Sequence, residues 1–189
     1  MSPRIVEQSV IYQGWGRYLS LELELADGTR MHRQLDDHGS AAVVLAYDAG
    51  RRTALLARLA RTGPLFMGQD PYLTEACAGL KEHGETGETC VRREAMEELG
   101  LRLGELERVV TAWSAPAVSS ETLDLYLAPY SPADRVGPGG GAPGEREDIE
   151  VVETPLTELW RQALAGEVSD LKTLALVYAL QARRPELFR

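Results

Sequence analysis

The chain has 189 residues, of which 44% are apolar and 26% charged, the balance of one soluble globular domain with room for a core. A net charge of −9 and an isoelectric point near 4.9 argue against a broad surface for nucleic acid, although a small anion can still be received by local arginines or a metal. No apolar run reaches the ~18 residues of a membrane span and the N-terminus has no apolar signal core, so neither membrane nor nucleic acid is an expected partner and the cytoplasm is the expected location.

Residues 4–12 and 17–25 read as strands, the second with Leu19, Leu21, Leu23 and Leu25 on one face. Ala26-Asp27-Gly28-Thr29 supplies a turn, and a third strand around residues 30–35 completes a meander. Ala41–Tyr47 is continuously apolar, as a strand buried on both faces should be, and Thr53–Leu59 is its return strand. Residues 62–71, rich in Gly and Pro, are expected to be a loop. A helix runs from about Thr86 to Leu99, with Val91, Ala95 and Leu99 as its buried stripe and Gly100 as a left-handed cap. Strands are expected near 106–113, 122–128 and 148–153, then helices over 155–165 and from Ser169 or Asp170 to about Arg183. Ser131–Gly144, with its glycines and prolines, is expected to be a mobile loop. This order predicts an α/β fold, a mixed sheet between helices in an α/β/α sandwich, preceded by a small N-terminal antiparallel sheet.

Cys77 and Cys90 fit small buried residues in a reducing compartment better than a disulfide framework or a Cys-x-x-Cys metal site. His32, His38 and His83 have no ligand spacing. Trp15, Trp113 and Trp160 are expected in the core or an interface.

The helix over 86–99 carries the chemistry. Glu94, Glu97 and Glu98 fall at i, i+3 and i+4, on one face beside the apolar stripe. Two unit charges ~6 Å apart repel by about 0.7 kcal/mol in water and by about 2.8 kcal/mol at an effective dielectric of 20. A structural helix gains nothing from this cluster, whereas a hard cation, which takes oxygen ligands, turns it into a site.

Gly79, Glu85, Arg93-Glu94, Glu97-Glu98 and Gly100, with Ala95 and Leu101 at apolar positions, match the Nudix box at each fixed position, and the chain resembles the Nudix hydrolase superfamily. The resemblance implies hydrolysis of a nucleoside diphosphate linked to another moiety, with Mg²⁺ or Mn²⁺ as cofactor. It implies Glu94, Glu97, Glu98 and the Ala78 carbonyl as metal ligands, Glu97 and Glu98 as catalytic groups, and a Glu85–Arg93 ion pair that, with Gly79 and Gly100, shapes the loop–helix–loop.

Flanking segments resemble the subfamily of GDP-mannose and ADP-ribose pyrophosphatases over roughly Asp36 to Leu180. These are Glu75-Ala76-Cys77-Ala78-Gly79-Leu80, Arg58-Leu59-Ala60-Arg61, Pro116 downstream of the box, the glycines before Glu147, and Asp170-Leu171-Lys172-Thr173. The group's Ser-Pro-Gly is here Ala115-Pro116-Ala117, which leaves the substrate open. Pro116, with Glu121 after it, is a candidate substrate contact. Arg58 and Arg61 are either solvated strand-end charges or phosphate and base ligands. Glu75 is either an edge-strand surface residue or a ligand. Glu147 is either a strand-entry charge or the general base delivered by the glycine-rich loop, with Glu145 as the runner-up.

The expected organisation is residues 1–36 as a β-sheet exchanged in a homodimer and 37–189 as the hydrolase domain. The expected substrate is a nucleoside diphosphate sugar of the GDP-mannose or ADP-ribose type. The alternatives are a Nudix hydrolase of a dinucleotide or oxidised nucleotide, or a non-catalytic nucleotide-binding module.

Overall fold

The computed structural model describes residues 2–142 and 148–189. Glu145 and Glu147 lie outside the described residues. Two compact units emerge, Met1–Ala41 with Thr111–Leu123, and Ala42–Val110 with Asp124–Arg189.

The first unit is built on a three-stranded antiparallel sheet in the order β1 (Arg4–Gln13), β2 (Arg17–Glu24), β3 (Arg30–Asp37). Leu19 opposes Val10 and Leu35, and Leu23 opposes Ile5 and Met31, so apolar side chains line up across the sheet. Leu19 and Leu21 are buried, Leu23 only partly. Leu25 falls beyond β2, in the turn whose Gly28 has φ 85°. Exposed apolar side chains cluster on β1 and the turn after it: Ile5, Val10, Ile11, Tyr12 and Trp15.

The second unit holds most of a mixed seven-stranded sheet. Its main path runs β10 (Glu150–Pro155), β5 (Thr53–Ala60), β4 (Ala41–Asp48), β9 (Thr122–Pro129), β8 (Glu107–Trp113). Every residue of β4 is buried, which requires cover on both faces. Ala42, Val44 and Ala46 of β4, with Leu55, Ala57 and Leu59 of β5, share a core with Cys90, Val91, Ala95 and Leu99 of helix α2 (Gly87–Leu99). The intervening Val43, Leu45, Ala54 and Leu56 point the other way. Helices α3 (Leu156–Ala165) and α4 (Leu171–Arg183) bring buried Leu156, Leu159, Leu176, Val177 and Leu180 to complete the sandwich. No helix among the described residues is long and apolar enough to cross a membrane.

The sheet forks at its centre. β5 pairs with β4 only over Thr53–Leu55, and from Ala57 to Ala60 its neighbour is β6 (Tyr72–Glu75). β7 (Cys77–Leu80) pairs with β4 instead, so β6 and β7 fill the gap where β4 and β5 separate. These strands of four residues were not predicted, because neither carries a period-2 pattern long enough to register. The loop expected over 62–71 contains a short helix, α1 (Thr62–Phe66). Asp170, not Ser169, caps α4, accepting a hydrogen bond from the Thr173 amide.

Two further expectations are corrected. Glu98 is 4% exposed and belongs to the buried side of α2 rather than to a face beside its stripe. The segment after Ser131, in its described part, is not loose. Pro132–Asp134 forms a capped 3₁₀ turn. The amides of Val136 and Gly137 donate to the Gly100 carbonyl, those of Gly140 and Gly141 to the carbonyls of Glu98 and Glu97. These bonds satisfy the carbonyls left orphaned at the C-terminus of α2. Trp15 and Trp113 are exposed rather than in the core, while Trp160 meets Tyr178 edge-on at 5.0 Å.

Gly100 is required twice over. Its φ of 62° lies in the left-handed region, and a Cβ there would stand 2.2 Å from the Gly137 carbonyl oxygen. Gly100→Ala should lower unfolding free energy by at least about 2 kcal/mol, combining left-handed strain with that clash. Urea denaturation checks it.

Candidate active site

The site is assembled from α2, the loop before it, and β7. Thr86 caps α2, its hydroxyl accepting from the Thr89 amide at 3.2 Å. In the preceding loop, the Glu85 carboxylate accepts from the Glu82 amide at 2.9 Å. This leaves Glu85 within reach of α2's second turn.

Arg93 is the junction. Its Nε and Nη2 donate to the two oxygens of Glu85 at 3.2 and 3.0 Å, a bidentate pair. Nη1 donates to Glu94 at 2.6 Å and to Glu97 at 3.2 Å, and Nη2 also reaches the Leu80 carbonyl at 3.1 Å. One guanidinium therefore serves three carboxylates and the end of β7. It holds the Glu85 carboxyl below the usual carboxylate range, and Glu85 and Glu94 push the arginine higher still.

Strand β7 passes beneath the same helix face. The Ala78 amide donates to Glu98 Oε2 at 3.3 Å. A Cβ on Gly79 would lie 1.8 Å from Glu94 Oε1, so only glycine lets that carboxylate rest on the strand. Glu94, Glu97, Glu98, Ala78, Gly79, Glu85 and Arg93 are thus brought together. Cys77 and Cys90 are free and buried in this region. Burial, then Glu98, pushes the Cys77 thiol well up, and burial, then Glu85, takes Cys90 to about 12, so both are inert packing groups.

Three carboxylates and a neighbouring peptide are hard oxygen donors suited to a divalent cation of the Mg²⁺ type. The Arg93 guanidinium, shared by Glu94 and Glu97, shows that positive charge is accepted at this place. Among the described residues no three His, Cys, Asp or Glu side chains already form a cation cage.

The remaining candidates separate into other settings. Arg58 pairs with Glu150 at 3.2 Å and lies 4.7 Å over the Tyr72 ring, with all three side chains partly or largely open to solvent. Arg61 is engaged elsewhere, donating twice to Glu75 at 2.9 Å. Glu75 is 2% exposed, which excludes the reading of a surface residue on an edge strand. Lys172 of α4 is its second cationic partner. In the first unit, Pro116 is exposed in a turn closed by the Ala115 carbonyl, and Glu121 lies 3.5 Å from His38, whose ring stacks on Trp15. Asp170, Lys172 and Thr173 were not singled out as site residues by the sequence. The one signal was their place in a segment resembling the subfamily's helix entry.

Burial pushes the Glu75 carboxyl up, but hydrogen bonds and charge from Arg61 and Lys172 outweigh it, and its pKa lies below 4.5. The folded chain therefore binds this proton more weakly than the unfolded chain. The resulting stability is full above the unfolded value and is lost as pH falls through the lower folded one. Glu75→Gln should be less stable than the wild type at pH about 6, and the gap should close towards pH about 3 in thermal unfolding.

Comparison with known proteins matches the geometry to a family. The family model described as NUDIX domain matches residues 37–176. The chain is similar to the GDP-mannose pyrophosphatase of Cronobacter sakazakii, 36% identical over 170 residues, covering 88% of this chain and 87% of that protein. It is 34% identical over 182 residues to the GDP-mannose pyrophosphatase of Klebsiella pneumoniae, covering 94% and 90%. Among solved structures, one titled "Crystal structure of ADP compounds hydrolase" superposes with a TM-score of 0.73 at 19% identity, over 97% of each chain, a likeness of fold. The α/β/α sandwich, the acidic helix with its arginine junction and these matches agree: the chain belongs to the Nudix family.

Proposed function

We propose that this protein hydrolyses the pyrophosphate bond of a nucleoside diphosphate sugar, of the GDP-mannose or ADP-ribose type, to a nucleoside monophosphate and a sugar phosphate, with Mg²⁺ or Mn²⁺. The observation that carries the reading is the convergence of Glu94, Glu97 and Glu98 with the Ala78–Gly79 peptide on one side of α2. The relatives named GDP-mannose pyrophosphatase direct it to nucleotide sugars.

In this reading Glu94, Glu97, Glu98 and the Ala78 carbonyl hold the cation. When bound, it neutralises phosphate oxygens and lowers the pKa of attacking water. Arg93 holds Glu94 and Glu97 on one nitrogen, Nη1, while Glu85 fixes Arg93 from the loop side. Water's oxygen joins one phosphorus while the bond from that phosphorus to the bridging oxygen breaks, the bridging oxygen leaving with the other phosphate and a water proton passing to a carboxylate. That carboxylate is Glu147, with Glu145 or a box glutamate as the alternatives to be separated by mutation. Arg58, paired at the surface with Glu150 and Tyr72, is assigned to the nucleotide's phosphate or base. Pro116 and Glu121 are assigned to the substrate loop. The protein is assigned to the cytoplasm, where its two buried cysteines stay thiols.

The same proposal makes residues 1–36 a sheet exchanged between two copies of the chain and 37–189 the hydrolase domain. The exposed Ile5, Val10, Ile11 and Tyr12 of β1 support a second copy as their cover. Sedimentation at micromolar concentration should give a dimer, and a monomer would refute this part.

The activity is tested by phosphate release, through a coupled phosphatase with Mg²⁺, over GDP-mannose, ADP-ribose, a dinucleotide and an oxidised nucleotide. A nucleotide sugar should be cleaved best, and EDTA should stop the reaction. Glu98→Gln and Glu147→Gln should each lower kcat by about 10²-fold or more, the latter with Mn²⁺ binding unchanged. Full activity in EDTA or in Glu98→Gln would sink the reading.

A further inference from the structure

A second cluster of ionised groups, centred on buried Glu75 with its partners partly buried, lies in the same unit, outside the acidic helix. Both oxygens of Glu75 are occupied, by Arg61 Nε and Nη2 at 2.9 Å each and by the Lys172 ammonium. Lys172, itself largely buried, also reaches Asp170 at 2.8 Å. Asp170 accepts from the Thr173 amide at 2.9 Å and from the Thr173 hydroxyl. The Thr173 oxygen, fully buried, accepts in turn from the Ala76 amide at 2.7 Å. Among the described residues two cations thus meet two carboxylates, and the first turn of α4 is fastened to residues 75 and 76.

Those two residues stand where the sheet forks. Glu75 ends β6, Ala76 is the joint, and Cys77 begins β7. A few residues on, the Ala78 amide meets Glu98 and the bare Gly79 backbone supports Glu94. At the ~3.3 Å rise per residue of extended chain, Glu75 stands only about 10 Å along the backbone from Ala78. Desolvated ion pairs contribute little net stability compared with apolar side chains of the same volume, and in some proteins they serve to fix one arrangement among several. A wedge of two strands of four residues each is a place where register needs fixing.

We propose that Lys172 is a positioning residue of this site: held against Glu75 at the fork, it sets where the Ala78–Gly79 peptide stands against Glu98 and Glu94, and so how well they close on a divalent cation. The inference rests on the metal-binding part of the reading above. It makes Glu75 and Arg61 members of an internal brace rather than contacts to the substrate.

The test compares Lys172→Met and Lys172→Arg with the wild type, by calorimetric titration with Mn²⁺, by kcat and KM for GDP-mannose, and by melting temperature. Lys172→Met should bind Mn²⁺ about tenfold more weakly and lose about tenfold in kcat at limiting Mn²⁺, with KM within about twofold, as for groups that orient metal ligands. Lys172→Arg should recover most of both. Unchanged Mn²⁺ affinity in Lys172→Met overturns the proposal, as does a raised KM with normal Mn²⁺ binding, which would place Lys172 on the substrate. A loss that Lys172→Arg does not recover and that follows the melting temperature also overturns it. Should Lys172→Met fail to fold, Thr173→Val, which keeps every charge, replaces it with the same expectation and the same refutation. A wild type that binds Mn²⁺ yet cleaves no nucleotide sugar overturns the function and leaves the Mn²⁺ comparison to decide the brace. A wild type that binds no Mn²⁺ overturns both.

Discussion

Everything in the site depends on crowding carboxylates onto one helix and keeping them there. Glu94, Glu97 and Glu98 share a face, and Glu85 is drawn in beside them from the loop. Unscreened, this arrangement would push the helix termini and loop apart. Arg93 prevents it with a geometry a lysine could not reproduce, one planar fork lying on Glu85 while its free edge serves Glu94 and Glu97. The pair with Glu85 is therefore structural and electrostatic at once. It anchors the loop that leads into α2 and leaves Glu94 and Glu97 facing a shared positive charge.

The helix also needs a floor, and the fork in the sheet supplies it. Because β4 and β5 separate after three residue pairs, β6 and β7 enter between them, and β7 is pressed under α2. Small residues make this approach possible. Gly79 leaves room for Glu94, and Ala78 presents its amide to Glu98. At the helix's other end, Gly100 and Gly139 let the segment after β9 dock on the carbonyls of Glu97, Glu98 and Gly100. α2 is thus gripped by backbone at both ends, and its acidic side chains inherit their placement from main-chain contacts.

Local pattern made some of this legible and hid the rest for definable reasons. The acidic helix could be read from spacing alone, because its stripe, its cap at Gly100 and its charge cluster all lie within one short window. β4 could be read because eight consecutive buried residues leave a continuous apolar run. β6 and β7 could not, since their strand character comes from filling a gap between other strands. Glu98 is an acidic residue whose burial comes with contacts such as that to the Ala78 amide of β7, far from it in sequence. The bonds from Thr173 and Lys172 to Ala76 and Glu75 join residues 97 positions apart, a distance over which no periodicity carries information. Charge balance across such a gap has no local signature, so the sequence offers Glu75 as a surface residue or a ligand and not as a buried partner of Lys172.

In the proposed reading a pyrophosphate ester brings negative charge to a helix face that already carries Glu94, Glu97 and Glu98. A divalent cation held there would offset that charge, so that binding of cation and of pyrophosphate would depend on each other. Arg93, committed to Glu85, Glu94 and Glu97, would hold those carboxylates in place for the cation rather than meet the phosphates itself.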